Sequence, residues 1–391
     1  MKKLVRLLVL SGVLLCVLFA VPRAAAAEVP NELENELDLQ MGQYNFSSWQ
    51  QFLNELSPQV KRIWGENTVE GLVGQYAEGE PDTDYDEKLN NVFAAVLSQL
   101  KESLGSISAV IGIALLSGIV GVLLENEGDK GLQEIASFVC YAMSVFIVAY
   151  LFMRLVGLAN EAINRISAFS ETATPVLATL LSAVGSTGTS GILSPLMLFL
   201  NGTVAKVFQT VIMPAILAGG VFAIVGNLAD RPQLKQLFGF SKSFSKWAIG
   251  VVFTVYIGIL AVQGMSVAAV DNISLKAVKY TLDKTLPVVG SVVSGTFDTV
   301  RGCTLLIKNA AGAAAACIAV GYALSPAVQI GGTALALKLA AALTEPISDG
   351  KIPKMLQSVA ESCEYVFGAV VAVALMFIIT VGLVIAAGSM V

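Results

Sequence analysis

Several stretches of this chain carry no charged residue and are long enough to cross a lipid bilayer, and they limit its possible folds more than any other feature. The clearest are residues 105–124, 135–153, 247–268 and 365–387. About 20 apolar residues suffice for a helix to span the hydrocarbon core. Charged residues make up 14% of all 391 residues, whereas soluble domains have about 25%. The sequence therefore predicts an all-α, polytopic membrane protein and excludes a water-soluble fold for most of the chain.

Residues 1–27 have the three-part pattern of a secretory signal peptide. Three basic residues precede the apolar segment 7–21, and four alanines follow at 24–27. This pattern is typical of a leader that is removed from the mature protein. We expect cleavage near Ala26 or Ala27, which would leave the next residues outside the cytoplasm. A first membrane helix that stays attached is the alternative.

Residues 28–104 form an acidic region, with fifteen acidic and four basic residues and a net charge of −11. Apolar residues recur there every three or four positions, which predicts an amphipathic helix. Its apolar stripe includes Trp49, Phe52, Leu53 and Leu56. Such a stripe either packs in a core or binds a partner. Because about seventy residues make only a thin core, we favour a small extracytoplasmic helical region with a partner surface.

Local sequence signals divide this acidic region further. Pro58 is expected to kink or divide the first helix. Ser47 and Gln50 have the spacing of a capping box at its start. A second helix is expected after the acidic turn at 78–86. The excess of negative charge makes nucleic acid a poor partner for this region.

Two segments of the membrane part match each other at one constant offset, the sequence separation of Pro175 and Pro287. The matched positions are Pro175 with Pro287, Pro214 with Pro326, Gly219 with Gly331, and Gly220 with Gly332. A constant offset indicates an internal duplication, and chance similarity between apolar stretches is the alternative. The predicted organisation is a first span and turn at 105–134, repeats at 135–246 and 247–364, and a C-terminal span at 365–391.

The connections between spans predict how the two repeats are oriented. Basic residues cluster at 231–246, and Lys351 and Lys354 occupy the corresponding place in the second unit. Positive charge favours the cytoplasmic side, so we expect parallel repeats. The segments after Pro175 and Pro287 are too short to span. They are interpreted as half-helices that dip into the membrane or as amphipathic helices on its surface.

The chain lacks the residues that most enzymes use. It contains no histidine, and its five cysteines include no C-x-x-C pair, which argues against metal sites and common general-base chemistry. It has no G-x-x-x-x-G-K-[ST] loop for a nucleotide. We therefore predict no catalytic, metal-binding or cofactor-binding residue and no cofactor. Any energy would come from a partner.

Three lysines, Lys206, Lys308 and Lys338, lie within apolar stretches. Lys338 is the clearest example of a lysine within an apolar stretch, because four apolar residues precede it and five follow it. It is expected either to line a polar path or to pair with a neighbouring subunit. Snorkelling to a lipid headgroup is the alternative. Gly-rich and Ala-rich stretches favour close packing between membrane helices and suit an oligomer or a complex subunit.

The pattern as a whole resembles the stage III sporulation protein AE family. The resemblance covers essentially all of the chain and rests on the order and spacing of its parts. These are the signal peptide, the acidic helices with Phe46-Ser47-Ser48-Trp49, the span at 105–124, the pair Thr174-Pro175-Val176-Leu177 and Leu286-Pro287-Val288-Val289, and the lone C-terminal span.

The resemblance implies a non-enzymatic membrane subunit of a secretion-like channel between the mother cell and the forespore. It implies a position in the mother-cell membrane facing the forespore. The implied partners are the other stage III sporulation proteins AA to AH, of which AA resembles a secretion ATPase, and stage II sporulation protein Q. A stand-alone secondary transporter or permease, built from the duplicated units, is the competing hypothesis.

Overall fold

The structure is a computed structural model, and the part of the chain that it describes is helical apart from turns and short connections. Of residues 264–299, it describes only the backbone, at 264–285 and 290–299. The described residues are 40–42, 44, 46–58, 60–61, 68–77, 90, 94, 97–98, 101, 105, 107–120, 130–228, 232–285, 290–346 and 350–387. The signal-peptide prediction lies outside them.

The helices, in chain order, are as follows. Two short helices come first, α1 (Ser47–Glu55) and α2 (Val69–Ala77). A short apolar helix, α3, covers Ile107–Val120. The longer helices are α4 (Lys130–Ala183), α5 (Thr187–Val207), α6 (Met213–Leu228), α7 (Pro232–Thr285), α8 (Gly290–Thr344) and α9 (Lys351–Ala386).

Within the described part, five helical segments are long and apolar enough to cross a membrane. They are Glu134–Ala183, Thr187–Asn227, Gln233–Gln263, Val300–Thr344 and Lys351–Ala386. The second of these joins α5 and α6 through a π-helical turn, Phe208–Ile212. In the described part of the chain, these segments confirm the predicted all-α fold and provide several helices long and apolar enough to cross a membrane.

Helix α4 is much longer than the span predicted at 135–153. It contains 54 residues, about 80 Å at 1.5 Å per residue, whereas the hydrocarbon core is about 30 Å thick. Its first half exposes large apolar side chains such as Phe138, Phe146 and Tyr150. Polar residues become frequent from Arg154 onward. We infer that α4 leaves the hydrocarbon region and extends beyond one face of the bilayer.

The structure corrects the prediction that Pro175 begins a separate half-helix. Pro175 lies inside α4, which continues to Ala183. A proline removes the bond to the carbonyl four residues earlier, here that of Glu171. Both residues are exposed, so the proline lies on an outward-facing part of α4. The chain reverses only afterwards, at Gly185, whose φ of 95° is in the left-handed region that glycine adopts without strain.

The other three prolines of the matched segments do not share the position of Pro175 within its helix. Pro326 lies inside α8, and Pro287 falls outside the described residues. Pro214 is the second residue of α6, directly after the π-helical turn. The amide of Met213 donates to the carbonyl of Phe208 there. Such a widened turn is one way for a helix to accommodate a proline that cannot donate.

The boundaries predicted between the repeats do not coincide with loops. The boundary at 246/247 lies inside α7, and the boundary at 364/365 lies inside α9. Hydropathy changes at both positions, because a charged N-terminal part of each helix gives way there to an uncharged stretch. The helix itself continues, since a backbone hydrogen-bond ladder does not depend on whether its side chains face water or lipid.

We call one end of the bundle the basic end, because the first turns of α7 and α9 carry Lys235, Lys351 and Lys354 there. At the basic end, Asn227 of α6, Lys235 of α7 and Lys354 of α9 line one cavity. At the distal end, the Arg301 side chain of α8 donates to the Val184 carbonyl at 3.1 Å. Helix α8 runs between these ends through the centre of the bundle. Its alanine-rich stretch 310–319 is buried, and small side chains permit such close helix packing.

Candidate functional site

A buried hydrogen-bonded network connects four of the long helices. The Tyr256 hydroxyl of α7 donates to Asn201 Oδ1 of α5 at 2.7 Å. Asn201 Nδ2 donates to Ser170 Oγ of α4 at 2.5 Å. The Thr380 hydroxyl of α9 contacts the Tyr256 hydroxyl. All four residues are buried, where neither lipid nor apolar side chains could satisfy them, so the network holds these helices in one arrangement.

No pattern in the sequence predicted this network. Asn201 is a single amide in the apolar helix α5, and Tyr256 lies in the middle of the span predicted at 247–268. Isolated polar residues in membrane helices are expensive unless paired, which is the signal that could have identified both. Their partners could not be identified in the same way, because serine and threonine hydroxyls also bond their own helix. The Thr174 hydroxyl, for example, donates to the Ser170 carbonyl at 2.7 Å.

Two ion pairs connect α9 to its neighbours near the basic end. Lys338 of α8 pairs with Glu364 of α9, and Lys242 of α7 pairs with Glu361 of α9 at 2.7 Å. Residues three apart lie on adjoining positions of one helix face. The structure thus corrects two of the expectations for Lys338: its ion-pair partner belongs to the same chain and not to a neighbouring subunit, and its ammonium group is not directed to a headgroup. A polar path along Lys338 stays a prediction.

The other two intramembrane lysines have different environments. Lys308 is fully buried, and its ammonium group donates to the Ile385 carbonyl at 2.9 Å and contacts the Ala387 carbonyl. It therefore caps the C-terminal end of α9, where the helix dipole favours a cation. Lys206 is exposed beside the π-helical turn and lines a cavity of about 480 Å³ together with Glu171.

Two of the four predicted glycine positions, Gly219 and Gly220, are sites of close helix contact. A Cβ atom on Gly219 would lie 2.7 Å from Ser241 Oγ of α7, and one on Gly220 would lie 2.1 Å from a ring carbon of Phe152 in α4. Gly331 and Gly332 are buried in α8. Helix α6 can approach its neighbours this closely only because glycine has no side chain.

The structure places the predicted partner stripe against the chain's own membrane helices. Trp49 and Leu53 are fully buried, and Leu56 is 5% exposed. The rings of Trp49 and Phe52 pack edge-on against Phe169 of α4, with centroids 5.8 and 5.4 Å away. The stripe therefore belongs to the core and is not open to a partner. The acidic region is too thin to bury this stripe by itself, and it does so by docking on the helix bundle. The sequence did not predict this docking.

Polar contacts hold the same docking surface. The Tyr322 hydroxyl of α8 donates to the Phe52 carbonyl at 2.8 Å, and Arg165 of α4 pairs with Glu55. The predicted capping box is wrong, because Phe46 occupies the N-cap position of α1 without a side-chain cap. Gln50 instead accepts a hydrogen bond from the Val69 amide at 2.8 Å, which ties α1 to α2. Helix α1 ends before Pro58, as predicted.

Comparison with known proteins assigns a family to this arrangement. Residues 68–388 match the family model described as stage III sporulation protein AE. The chain belongs to the stage III sporulation protein AE family. The match begins just before α2 and ends just after α9, so the family pattern includes every long helix described above.

A curated relative carries the same family name. The chain is 25% identical over 340 residues to stage III sporulation protein AE of Bacillus subtilis (strain 168), covering 87% of this chain and 85% of the relative. No solved structure matches the chain. The stage III sporulation protein AE family is a sporulation family and is not known as a family of enzymes. A role in sporulation follows from this membership.

Proposed function

We propose that this protein is a non-enzymatic, integral membrane subunit of the channel-like complex that connects the mother cell with the forespore during endospore formation. Membership of the stage III sporulation protein AE family carries this proposal. The buried network around Asn201 and Tyr256 supports it, because its polar groups bond one another inside the bundle. Such satisfied groups are suited to holding helices together, as a membrane platform requires.

The proposed location is the mother-cell membrane facing the forespore, with a cleaved signal peptide and an extracytoplasmic N-terminal region. The basic end carries Lys235, Lys246, Lys351 and Lys354, and positive charge favours the cytoplasmic side. Helix α1 docks on the other half of α4, around Phe169, and α2 packs against α8, where the Tyr76 hydroxyl contacts the Cys317 sulfur. This arrangement supports an N-terminal region on the outer side.

The proposed partners are the other stage III sporulation proteins AA to AH and stage II sporulation protein Q. Because the Trp49 stripe is covered within the chain, contact with a partner would use other surfaces of the acidic region or the exposed part of α5. Exposed apolar residues on α5 include Ile192 and Phe199. Exposed apolar groups of this kind suit contact with lipid or with another subunit.

A transporter built from two parallel repeats remains the competing hypothesis. The long helix α4 is followed by α5 and α6, which run antiparallel to it, and the long helix α7 is followed by the antiparallel α8. This repeated order favours duplication. The continuity of α4 through Pro175 argues against the broken helix that such transporters use at their substrate site.

The test is affinity purification of the full-length protein from membranes of sporulating cells in mild detergent. A multi-protein complex that contains an ATPase-like subunit is the expected result. An unrelated polytopic protein with the same tag is the control. Recovery of the protein alone, together with substrate uptake by vesicles that contain only this chain, would support the transporter and overturn the proposal.

A further inference from the structure

An open cavity of about 480 Å³ lies between α4 and α5, beside the π-helical turn. Helix α4 contributes Asn164, Ser167 and Glu171 to its lining. These residues are three and four positions apart, so they share one face of the helix. Helix α5 contributes the opposite wall, which includes Lys206. We call this cavity the α4–α5 groove.

The groove carries two opposite charges that are not used within the chain. Glu171 and Lys206 are the charged residues among the described residues that line it, and both are exposed. In the described part of the chain, neither side chain has an ion-pair or hydrogen-bond partner. One acid and one base cancel in net charge, so the groove attracts neither a simple anion nor a simple cation. It suits a surface that itself carries both charges.

The rest of the α5 wall has the character of a contact between helices. Phe199 is 66% exposed and Leu198 is 37% exposed, and both line the groove. Among the described residues, nothing lies within 4 Å of a Cβ atom added to Gly202, which also lines it. Small residues let helices of two subunits approach closely, and exposed apolar side chains are frequent at contact sites. The α4–α5 groove therefore has room and apolar surface for another helix pair.

Two hydrogen bonds fix the register of the antiparallel helices α4 and α5. Gln209 Nε2 donates to Asn164 Oδ1 at 2.6 Å, and Asn201 Nδ2 donates to Ser170 Oγ at 2.5 Å. This register places Lys206 and Glu171 about 7 Å apart along the helix axes. Lysine and glutamate side chains are long enough to cover that offset.

A two-fold axis along this groove would bring α4 of each copy opposite α5 of the other. In a two-fold interface, each contact between two residues occurs twice, with the roles of the copies exchanged. Two copies inserted into one membrane in the same orientation are related by an axis along the membrane normal, which leaves every residue at its own height. Glu171 of each copy then faces Lys206 of the partner subunit.

We propose that the α4–α5 groove is the contact surface for a second copy of this chain, held by two reciprocal ion pairs between Glu171 and Lys206. A second copy supplies the required acid and base at the required heights by symmetry alone. Phe199 and Leu198 of each copy pack against the other. This inference goes beyond the proposed channel role, because such a pair forms whether or not other sporulation proteins are present.

The test uses two full-length copies with different affinity tags, produced together in a bacterium that forms no spores and extracted in mild detergent. Purification through one tag, followed by quantification of the other, measures self-association. The test variants are Glu171→Lys and Lys206→Glu. The matched controls are Glu134→Lys on α4 and Lys351→Glu on α9, both at exposed positions outside the groove.

Wild-type copies are expected to be recovered together, and so are copies that carry either control change. When both copies carry Glu171→Lys, or both carry Lys206→Glu, co-recovery should fall roughly tenfold. The reason is that each change replaces two attractive contacts by two repulsive ones. Wild-type copies that purify separately, or test variants that associate like the wild type, overturn the proposal.

The decisive combination is one copy with Glu171→Lys and the other with Lys206→Glu. Both contacts between these copies join a lysine to a glutamate, so co-recovery should return close to the wild-type level. This return also shows that both variants fold. An ion pair within one chain cannot produce it, because each variant chain carries two like charges. A mixed combination that stays apart therefore overturns the proposal.

Discussion

Lys338 on α8 forms an ion pair with Glu364 on α9, and the two side chains are 22% and 17% exposed. Removing one member of a largely buried pair leaves an uncompensated charge, which costs more than the pair itself contributes. Glu361, one turn earlier, binds Lys242 of α7 in the same way. Helix α9 thus uses two carboxylates to fix its rotation against two different neighbours.

Glu364→Gln is expected to lower the free energy of unfolding by about 1 to 3 kcal/mol, because Lys338 then remains charged and unpaired. The cost is smaller than for a fully buried pair, since both side chains are partly exposed. The double variant Lys338→Met/Glu364→Met should recover much of this loss. Thermal unfolding of the detergent-solubilised protein measures both. Lys351→Met, an exposed lysine on α9, is the control. If the double variant loses as much stability as Lys338→Met and Glu364→Met lose in sum, the two side chains are not energetically coupled.

Asn201→Leu should lower the free energy of unfolding by about 1 to 2 kcal/mol, because it leaves the Tyr256 and Ser170 hydroxyls without their amide partner. Thr203→Val, an exposed position on the same helix, should have little effect. The unfolding midpoint and the elution volume in size-exclusion chromatography measure the result. Equal stability of the two variants would mean that the network does not hold the four helices together.

Gly321→Leu should displace α1 and α2 from the bundle. A Cβ atom at Gly321 of α8 would already lie 2.9 Å from Leu56 Cδ1, and a larger side chain would push this residue out of the core. Limited trypsin digestion should then cleave faster after Lys61. Gly258→Leu is the matched control, because nothing lies within 4 Å of its added Cβ. Unchanged cleavage in both variants would show that docking does not depend on this contact.

The mature chain is expected to begin near Ala27 or Glu28. The reason is the signal-peptide pattern of the segment 1–27, which is typical of a leader that is cut off. N-terminal sequencing of the protein from membranes checks this. Retention of the segment 1–19 would mean that the leader is a membrane anchor. The outer location of the acidic region would then need another explanation.

Single cysteines at Gln233 and Gln357, in a background without native cysteines, should both resist membrane-impermeant thiol reagents in intact cells. Gln357 lines the same cavity as Lys235, so these positions lie at one end of the bundle, which we expect to be cytoplasmic. Labelling after permeabilisation is the control for reactivity. Strong labelling of both in intact cells would reverse the proposed orientation.

The sequence identified the helices well but not their limits. It placed apolar spans at 135–153, 247–268 and 365–387, and each lies inside or almost wholly inside a longer helix. Hydropathy marks where side chains meet lipid, whereas a helix ends where its backbone ladder ends. That is why α4 continues past Arg154 and through Pro175, and why α9 begins at Lys351.

The sequence by itself determined an all-helical membrane protein with an acidic first region, and it singled out Lys338 and the stripe of Trp49. These features depend on composition and on periodicity along one helix. Only the tertiary structure decided what each residue contacts. The pairing of Lys338 with Glu364, the capping of α9 by Lys308 and the docking of Trp49 on Phe169 each join distant parts of the chain. No local pattern encodes such contacts, because they depend on how whole helices pack.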